Sequence, residues 1–311
     1  GKIQASGPPL PVLPTPVEQG YNGLRKAFIL EEGMMGKTAE VSVIWLQAAS
    51  CSGCSVSVLN SAHPRIAELL LDEVIPGKHI NLRFQATVMA GAGEPVLEVL
   101  EEAEGALNGR YLLVVEGAIP TAEEGFYGTL GEEPLAERAA SLGKAAQAAL
   151  ALGTCASFGG IFAARPNPTG CVGLGELFKR EGIKTPLVNI PGCPPHPDWF
   201  VGTVAAILIS GLEGLELDEY RRPKLFYGKL IHENCPRRAY FDEGKFAKKL
   251  SDEGCLYELG CKGPLTHADC PLRLWNGGVN WVIGCGAPCN GCVEPGFPDL
   301  VSPFYEKLKE A

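Results

Sequence analysis

A chain of 311 residues, 46% of them hydrophobic, is long enough to bury a full core and to divide into two domains. Its net charge of -9 is spread without any basic cluster, which excludes nucleic acid as a partner; its longest apolar stretch, residues 201–212, is too short and too broken by Gly and Ser to span a bilayer. The 12 cysteines stand in groups with short gaps, a pattern that suits metal ligation better than a disulfide scaffold in a chain able to build its own core.

Residues 1–16 are rich in Pro and Gly and lack apolar periodicity, so residues 1–38 read as an extended arm. From residue 41 to about 212, short β-branched runs alternate with longer amphipathic segments, the pattern of a parallel sheet covered by helices. The expected strands are Val41–Leu46, Asn81–Met89, Tyr111–Glu116, Ala148–Leu152 and Pro186–Ile190, and the expected helices are Val56–Val74, Pro95–Leu107, Leu135–Ala146, Gly173–Glu181 and Asp198–Ile209. The reading is a doubly wound α/β domain over residues 39–219, a fold that takes its ligand outside the carboxyl ends of its strands. Over residues 220–311, Pro, Gly and Cys interrupt the chain so often that a loop-rich second domain is expected, with one short helix at Glu243–Leu250 and loops from Cys255 to Pro303. Such a region needs a source of folding energy other than a large apolar core, and bonds to metal clusters supply one.

The cysteines fall into three constellations. Cys51 and Cys54 follow the first strand, Cys155 the fourth and Cys193 the fifth, so all four converge on one end of the sheet. Four thiolates there suit an iron–sulfur cube or a zinc ion, and the flanking Gly53, Gly153, Gly159, Gly160 and Gly192 let backbone amides approach the sulfurs. A redox CxxC pair is the rival reading, but it leaves Cys155 and Cys193 without a role. The second set is His232, Cys235, Cys255 and Cys261, whose mixed ligation fits zinc or an iron–sulfur cluster with one imidazole. The third is Cys270, Cys289 and Cys292, enough for a three-iron cluster, with Cys285 as a candidate fourth ligand and Val282 at the other loop position where one is expected. Cys171 belongs to no set and reads as a small buried residue. His63, His79, His196 and His267 have no ligand partner at fixed spacing and read as structural or exposed. Glu116 ends the third strand on the cysteine side, where a carboxylate needs partners, so a hydrogen-bonding role competes with redox tuning. No Walker loop or dinucleotide fingerprint is present.

The motifs CSGCSVSVLN, EGAIP, GTCASFGG, NIPGCPPHPDW, HENCPRR, LGCKGPLTHADC, WNGGVNW and PCNGCVEPGFPD, in this order from about residue 40 to 305, together resemble the small, electron-transferring subunit of [NiFe] hydrogenases, with the C-terminal segment most like the [NiFeSe] branch. The resemblance implies a flavodoxin-like domain holding a proximal [4Fe-4S] cluster through Cys51, Cys54, Cys155 and Cys193. It implies a distal [4Fe-4S] cluster on His232, Cys235, Cys255 and Cys261, and a medial [3Fe-4S] or [4Fe-4S] cluster on Cys270, Cys289 and Cys292. The Ni-Fe centre, where hydrogen is split or formed, would belong to an obligate large-subunit partner, and a cytochrome or membrane redox partner would dock near the distal cluster. Gly53 and Gly160 stand where oxygen-tolerant members of the family carry extra cysteines, which implies an ordinary proximal cube; Val282 stands where the selenium branch has a Cys. The first residue is Gly rather than Met, as after removal of an export signal, and the expected location is the periplasm or the outer face of a membrane, with the cytoplasm left open. Two other readings compete. A structural zinc subunit would need zinc at three sites, and the related subunit of quinone-reducing complexes would lack the two C-terminal constellations.

Overall fold

The computed structural model describes residues 39–71, 73–75 and 77–307. The arm expected over residues 1–38 lies outside them.

Strand β1 (Ala39–Gln47) shows how the fold is built. Its side chains alternate: Val43 and Trp45 belong to one apolar cluster, Ile44 and Leu46 to another, so both faces of the strand are buried. Strands β4 (Tyr111–Glu116), β7 (Ala148–Leu152) and β8 (Leu187–Ile190) are buried along their whole length, as near-continuous apolar runs require. Helices Gly53–Leu59 and Pro197–Ser210 contribute to the first cluster, and Glu94–Glu104, Leu135–Ala145 and Leu174–Arg180 to the second. With β2 (Glu73–Ile75) and β3 (Lys78–Gln85) the sheet has the order β2-β3-β1-β4-β7-β8; a small separate hairpin is formed by β5 (Thr129–Leu130) and β6 (Glu133–Pro134). All neighbours in the large sheet are parallel except β2, which runs antiparallel to β3 on the edge. Taken in chain order, the parallel strands stand 2-1-3-4-5, the flavodoxin-like arrangement, whose switch point lies between β1 and β4.

Three expected elements differ. The helix expected over Val56–Val74 is two helices, Gly53–Leu59 and Ile66–Leu71, followed by β2. Asn60 caps the first, and Pro64 cannot continue it because it lacks an N–H. The second strand starts at Lys78 and stops at Gln85 rather than running over Asn81–Met89. The Gln85 side chain accepts the N–H groups of Thr87 (2.6 Å) and Val88 (2.9 Å) and turns the chain there. The helix expected over Glu243–Leu250 is absent; a shorter one, Arg238–Asp242, precedes it and ends before Gly244, whose φ is +67°. Residues 245–247 instead pair with Cys255 through Cys255 N–H to Lys245 O and Ala247 N–H to Cys255 O, both 2.9 Å. A non-local pairing wins over weak local helix propensity.

From residue 224 the chain consists of turns, 3-10 segments and the short helices Lys224–Tyr227, Arg238–Asp242 and Cys270–Arg273. Its apolar residues Phe226, Tyr227, Ile231, Leu256, Trp281 and Val293 join the first cluster, so one core runs without a gap from the sheet into the C-terminal segment. Arg222, 2% exposed, fastens the junction: it pairs with Asp218 (2.7 Å) and Glu294 (3.2 Å) and donates to Val293 O (3.2 Å). No helix among the described residues is long and apolar enough to cross a membrane.

Candidate metal centres

The turns that leave β1, β7 and β8 at their carboxyl ends carry Cys51 and Cys54, Cys155, and Cys193. Burial pushes the Cys54 thiol far above the ordinary range, with Glu116, Cys155, Cys51 and Cys193 adding to the effect, so the four sulfurs face one another. Cys155 is pushed up to about 11 by burial while the N–H groups of Ile161 and Phe162 pull it back. Burial likewise brings Cys193 to about 11, with Cys292 and Cys51 adding. A β-carbon on Gly153 (φ +88°) would fall 2.5 Å from Cys54 Sγ, and one on Gly160 (φ +50°) 2.8 Å from Cys155 Sγ. The glycines thus keep the space beside the sulfurs open.

Glu116 is fully buried at the rim of this mouth. Its Oε1 accepts from Ser50 Oγ (3.2 Å) and from the backbone N–H groups of Cys54 and Ser55 (both 3.1 Å). Its Oε2 accepts from Trp45 Nε1 (3.1 Å), Gln47 Nε2 (3.3 Å) and Ser55 Oγ. The carboxylate therefore holds the first turn of the helix that carries Cys54, and the structural role read from the sequence is present in full.

His232, Cys235, Cys255 and Cys261 line one recess, together with Ile231, Leu256 and Ile283. Burial pulls the His232 imidazole below its ordinary value, with Arg238 acting in the same direction, which favours the neutral form able to ligate. Burial raises all three thiols of the set, and in each case a backbone N–H two residues on pulls the other way: Arg237 at Cys235, Tyr257 at Cys255 and Gly263 at Cys261. The same turn recurs at Cys289, where the Gly291 N–H lies 3.5 Å from Sγ. Amide donors aimed at buried sulfur suit a thiolate, and a bound cation would supply the charge that burial otherwise opposes.

Cys270, Cys289 and Cys292 also meet. Burial raises Cys270 well above the ordinary thiol range, with Cys292 and Cys289 next in effect, while the Trp275 indole N–H donates to it. Cys285, in contrast, is exposed, and Val282 is 40% exposed. Cys171 is buried and bonded by Thr169 Oγ1 at 3.2 Å, away from all three sets, as its solitary position suggested.

The sets are joined to one another. The Cys193 N–H donates to the sulfur of Cys292, and the Cys289 N–H to that of Cys261. Thr154, beside Cys155, accepts from Gly192 N–H (2.8 Å) and donates to Cys292 O, riveting the first set to the third. Sequence reasoning passed over Thr154 and Trp275; the sole signal for Thr154 is its position next to Cys155.

His196 is a buried structural histidine. Its Nδ1 accepts the Asp198 N–H (3.1 Å) at the start of helix Pro197–Ser210, and its Nε2 donates to Leu274 O (2.7 Å). Burial pulls its pKa below the ordinary value against the opposing pull of Asp198. The unfolded chain then takes up a proton first on acidification. The complex is expected to lose stability as pH falls from about 6.5 through the lower folded value of this group. Melting curves between pH 7 and 5 should show a steeper loss for the wild type than for His196→Gln; equal slopes would remove His196 as the cause.

Residues 227–305 match the C-terminal family model of the NiFe/NiFeSe hydrogenase small subunit, and residues 51–207 match that of the NADH ubiquinone oxidoreductase 20 kDa subunit. The periplasmic [NiFeSe] hydrogenase small subunit of Desulfomicrobium baculatum is 45% identical over 305 residues, covering 92% of this chain and 95% of that protein. This chain belongs to the [NiFe]/[NiFeSe] hydrogenase small-subunit family. The periplasmic [NiFe] hydrogenase small subunit of Solidesulfovibrio fructosivorans is 43% identical over 271 residues, covering 86% of this chain and 82% of that one. Among solved structures, a chain of the reduced, active form of the Ni-Fe-Se hydrogenase from Desulfomicrobium baculatum superposes with a TM-score of 0.82 at 47% identity, covering 87% of this chain and 100% of that one. Besides the sheet region that matches the quinone-complex family model, this chain carries a C-terminal segment that matches the hydrogenase small-subunit model, which disposes of the quinone-complex alternative.

Proposed function

We propose that this chain is the electron-transferring small subunit of a hydrogenase, relaying electrons between a Ni-Fe site on a large-subunit partner and an external redox partner. The observation that carries the reading is the joining of three ligand constellations by backbone N–H groups, from the mouth of the sheet at Cys193 through Cys292 and Cys289 to Cys261. Iron–sulfur clusters bound at these sets would take up and release single electrons. We assign Cys51, Cys54, Cys155 and Cys193 to a proximal [4Fe-4S] cluster in the flavodoxin-like domain, residues 39–219. His232, Cys235, Cys255 and Cys261 take a distal [4Fe-4S] cluster, and Cys270, Cys289 and Cys292 a medial one, both within residues 220–311.

The chain's own residues do the holding and tuning. Neutral His232 leaves its set less negative than four thiolates would, which favours the reduced state. For the medial site we favour [3Fe-4S], because Val282 cannot ligate and Cys270, Cys289 and Cys292 are the thiols that meet there. Zinc is a poorer fit, because three separate structural zinc sites would have to stand in one chain. The relatives named periplasmic favour a periplasmic complex. A cytochrome or membrane partner docking near His232, the half-buried end of the series, would complete the relay.

Metal analysis of the anaerobically purified complex tests this. Roughly 11 irons per copy of this chain are expected, from two four-iron clusters and one three-iron cluster, with nickel confined to the second chain. Zinc in place of iron would overturn the reading. Cys285→Ser should leave the iron–sulfur EPR spectrum unchanged, whereas Cys270→Ser should abolish the medial signal; an altered spectrum in Cys285→Ser would make that residue the fourth ligand.

A further inference from the structure

Lys262 is a cation in an unusual place. It directly follows Cys261 and is 2% exposed, and a buried ammonium is costly unless negative charge or several acceptors surround it. Its Nζ donates to a neutral acceptor, the backbone carbonyl of Glu306, at 2.7 Å. Burial pulls the ammonium below the ordinary lysine range; the groups pulling it back are the sulfurs of Cys261 and Cys289, then Glu306. Lys262 directly follows Cys261 of the second constellation and is bonded through its backbone N–H to Cys289 of the third, so the residue is set between the two.

The backbone fixes it there. The Lys262 N–H donates to Cys289 O (2.8 Å), while Thr266 Oγ1 (2.6 Å) and the Leu265 N–H (2.9 Å) donate to Lys262 O. The stem lies over Gly291, where a β-carbon would sit 3.5 Å from Lys262 Cβ. The backbone of Lys262 is thus tied to Cys289 and to the turn that follows Cys261, and among the described residues no carboxylate lies at hydrogen-bonding distance from its Nζ.

We infer that Lys262 is a shared counter-charge for the medial and distal clusters, stabilising the reduced form of each and raising both reduction potentials together. The inference rests on the cluster assignment proposed above. In each case one electron enters, the cluster becomes more negative by one charge, and the ammonium keeps its proton, so no proton or further reactant is exchanged. Because the charge lies against both sets, it moves both potentials in one direction and leaves the step between them nearly unchanged. Lys262 acts through the ligands and is a positioning residue for charge; it touches no substrate.

The test is a redox titration of the iron–sulfur EPR signals in the intact, anaerobically purified complex, comparing wild type with Lys262→Met and Lys262→Arg. In the methionine variant both the medial and the distal midpoints should fall, each by enough to change the oxidised-to-reduced ratio at a fixed potential at least tenfold, about 59 mV for one electron. The proximal midpoint should not move, and arginine should restore the other two. Unmoved midpoints in an iron-replete methionine variant, or a shift confined to one cluster, would overturn the inference. If methionine fails to load iron, Lys262→Gln carries the same expectation. If neither neutral variant loads, arginine decides: midpoints within tenfold of wild type are expected, and a larger displacement or loss of iron overturns it. Absence of medial and distal signals from the wild-type complex would overturn the cluster assignment instead.

Discussion

Glu116→Ala is expected to destabilise the complex by about 3–5 kcal/mol, the range for breaking a buried, hydrogen-bonded charge network, and to leave the proximal set without iron. The carboxylate is the acceptor for Trp45, Gln47, Ser50 and Ser55 side chains and for the N–H groups of Cys54 and Ser55. Alanine leaves the buried donors of Trp45 and Ser55 without their acceptor, each at about 1–3 kcal/mol before relaxation. It also frees the first turn of helix Gly53–Leu59, which positions Cys54. Glu116→Gln should be milder, because the amide retains one oxygen while turning its NH2 against donors. Since the Glu116 charge opposes the Cys54 thiolate, the glutamine variant should hold its proximal cluster at a higher midpoint potential. Iron content, thermal denaturation and EPR titration read these effects. A fully loaded Glu116→Ala complex with unchanged melting would show that the network neither holds the helix nor shapes the site.

Gly153→Ala is the second large effect. Gly153 has φ +88°, a conformation that costs other residues about 1–2 kcal/mol, and the added carbon would lie 2.5 Å from Cys54 Sγ and 3.6 Å from Gly192 O. It would intrude where β7 passes into helix Gly153–Phe158, between two turns that carry ligands. Loss of the proximal cluster, about four irons, is expected, with the medial and distal EPR signals kept. Full iron content in this variant would mean that Cys54 has room to withdraw and that the glycine is not required by the cradle.

Much of the architecture could be read from the amino acids because its signals are local. The buried strands Tyr111–Glu116 and Ala148–Leu152 are apolar runs of strand length, and their limits in the structure are those read from the sequence. The four-cysteine mouth follows from strand ends converging on one edge of a parallel sheet. Failures arose where a side chain or a distant backbone overrode the local pattern: Gln85 turning the chain, Cys255 drawing residues 245–247 out of a helix, and Pro64 ending a periodicity that continued beyond it. The grouping of the candidate ligands could be read from spacing, but the contacts made around them could not. Trp275 on Cys270, Thr154 on Cys292 and Lys262 between Cys261 and Cys289 are tertiary contacts, and no periodicity announces them.

The alternation in β1 has a consequence for how errors in folding are eliminated. Gln47 pairs with Glu116 and Trp45 with Val114 across the β1–β4 register, and both Trp45 and Gln47 donate to the Glu116 carboxylate from the same side of the strand. A slip of one residue would send Trp45 to the opposite face and exchange Val43 and Trp45 with Ile44 and Leu46 between the two apolar layers. The misregistered chain would lose its packing and its carboxylate donors in the same step. A mispaired strand therefore has no stable resting place in which the protein is well folded but unable to load metal, and off-register chains are discarded on stability alone.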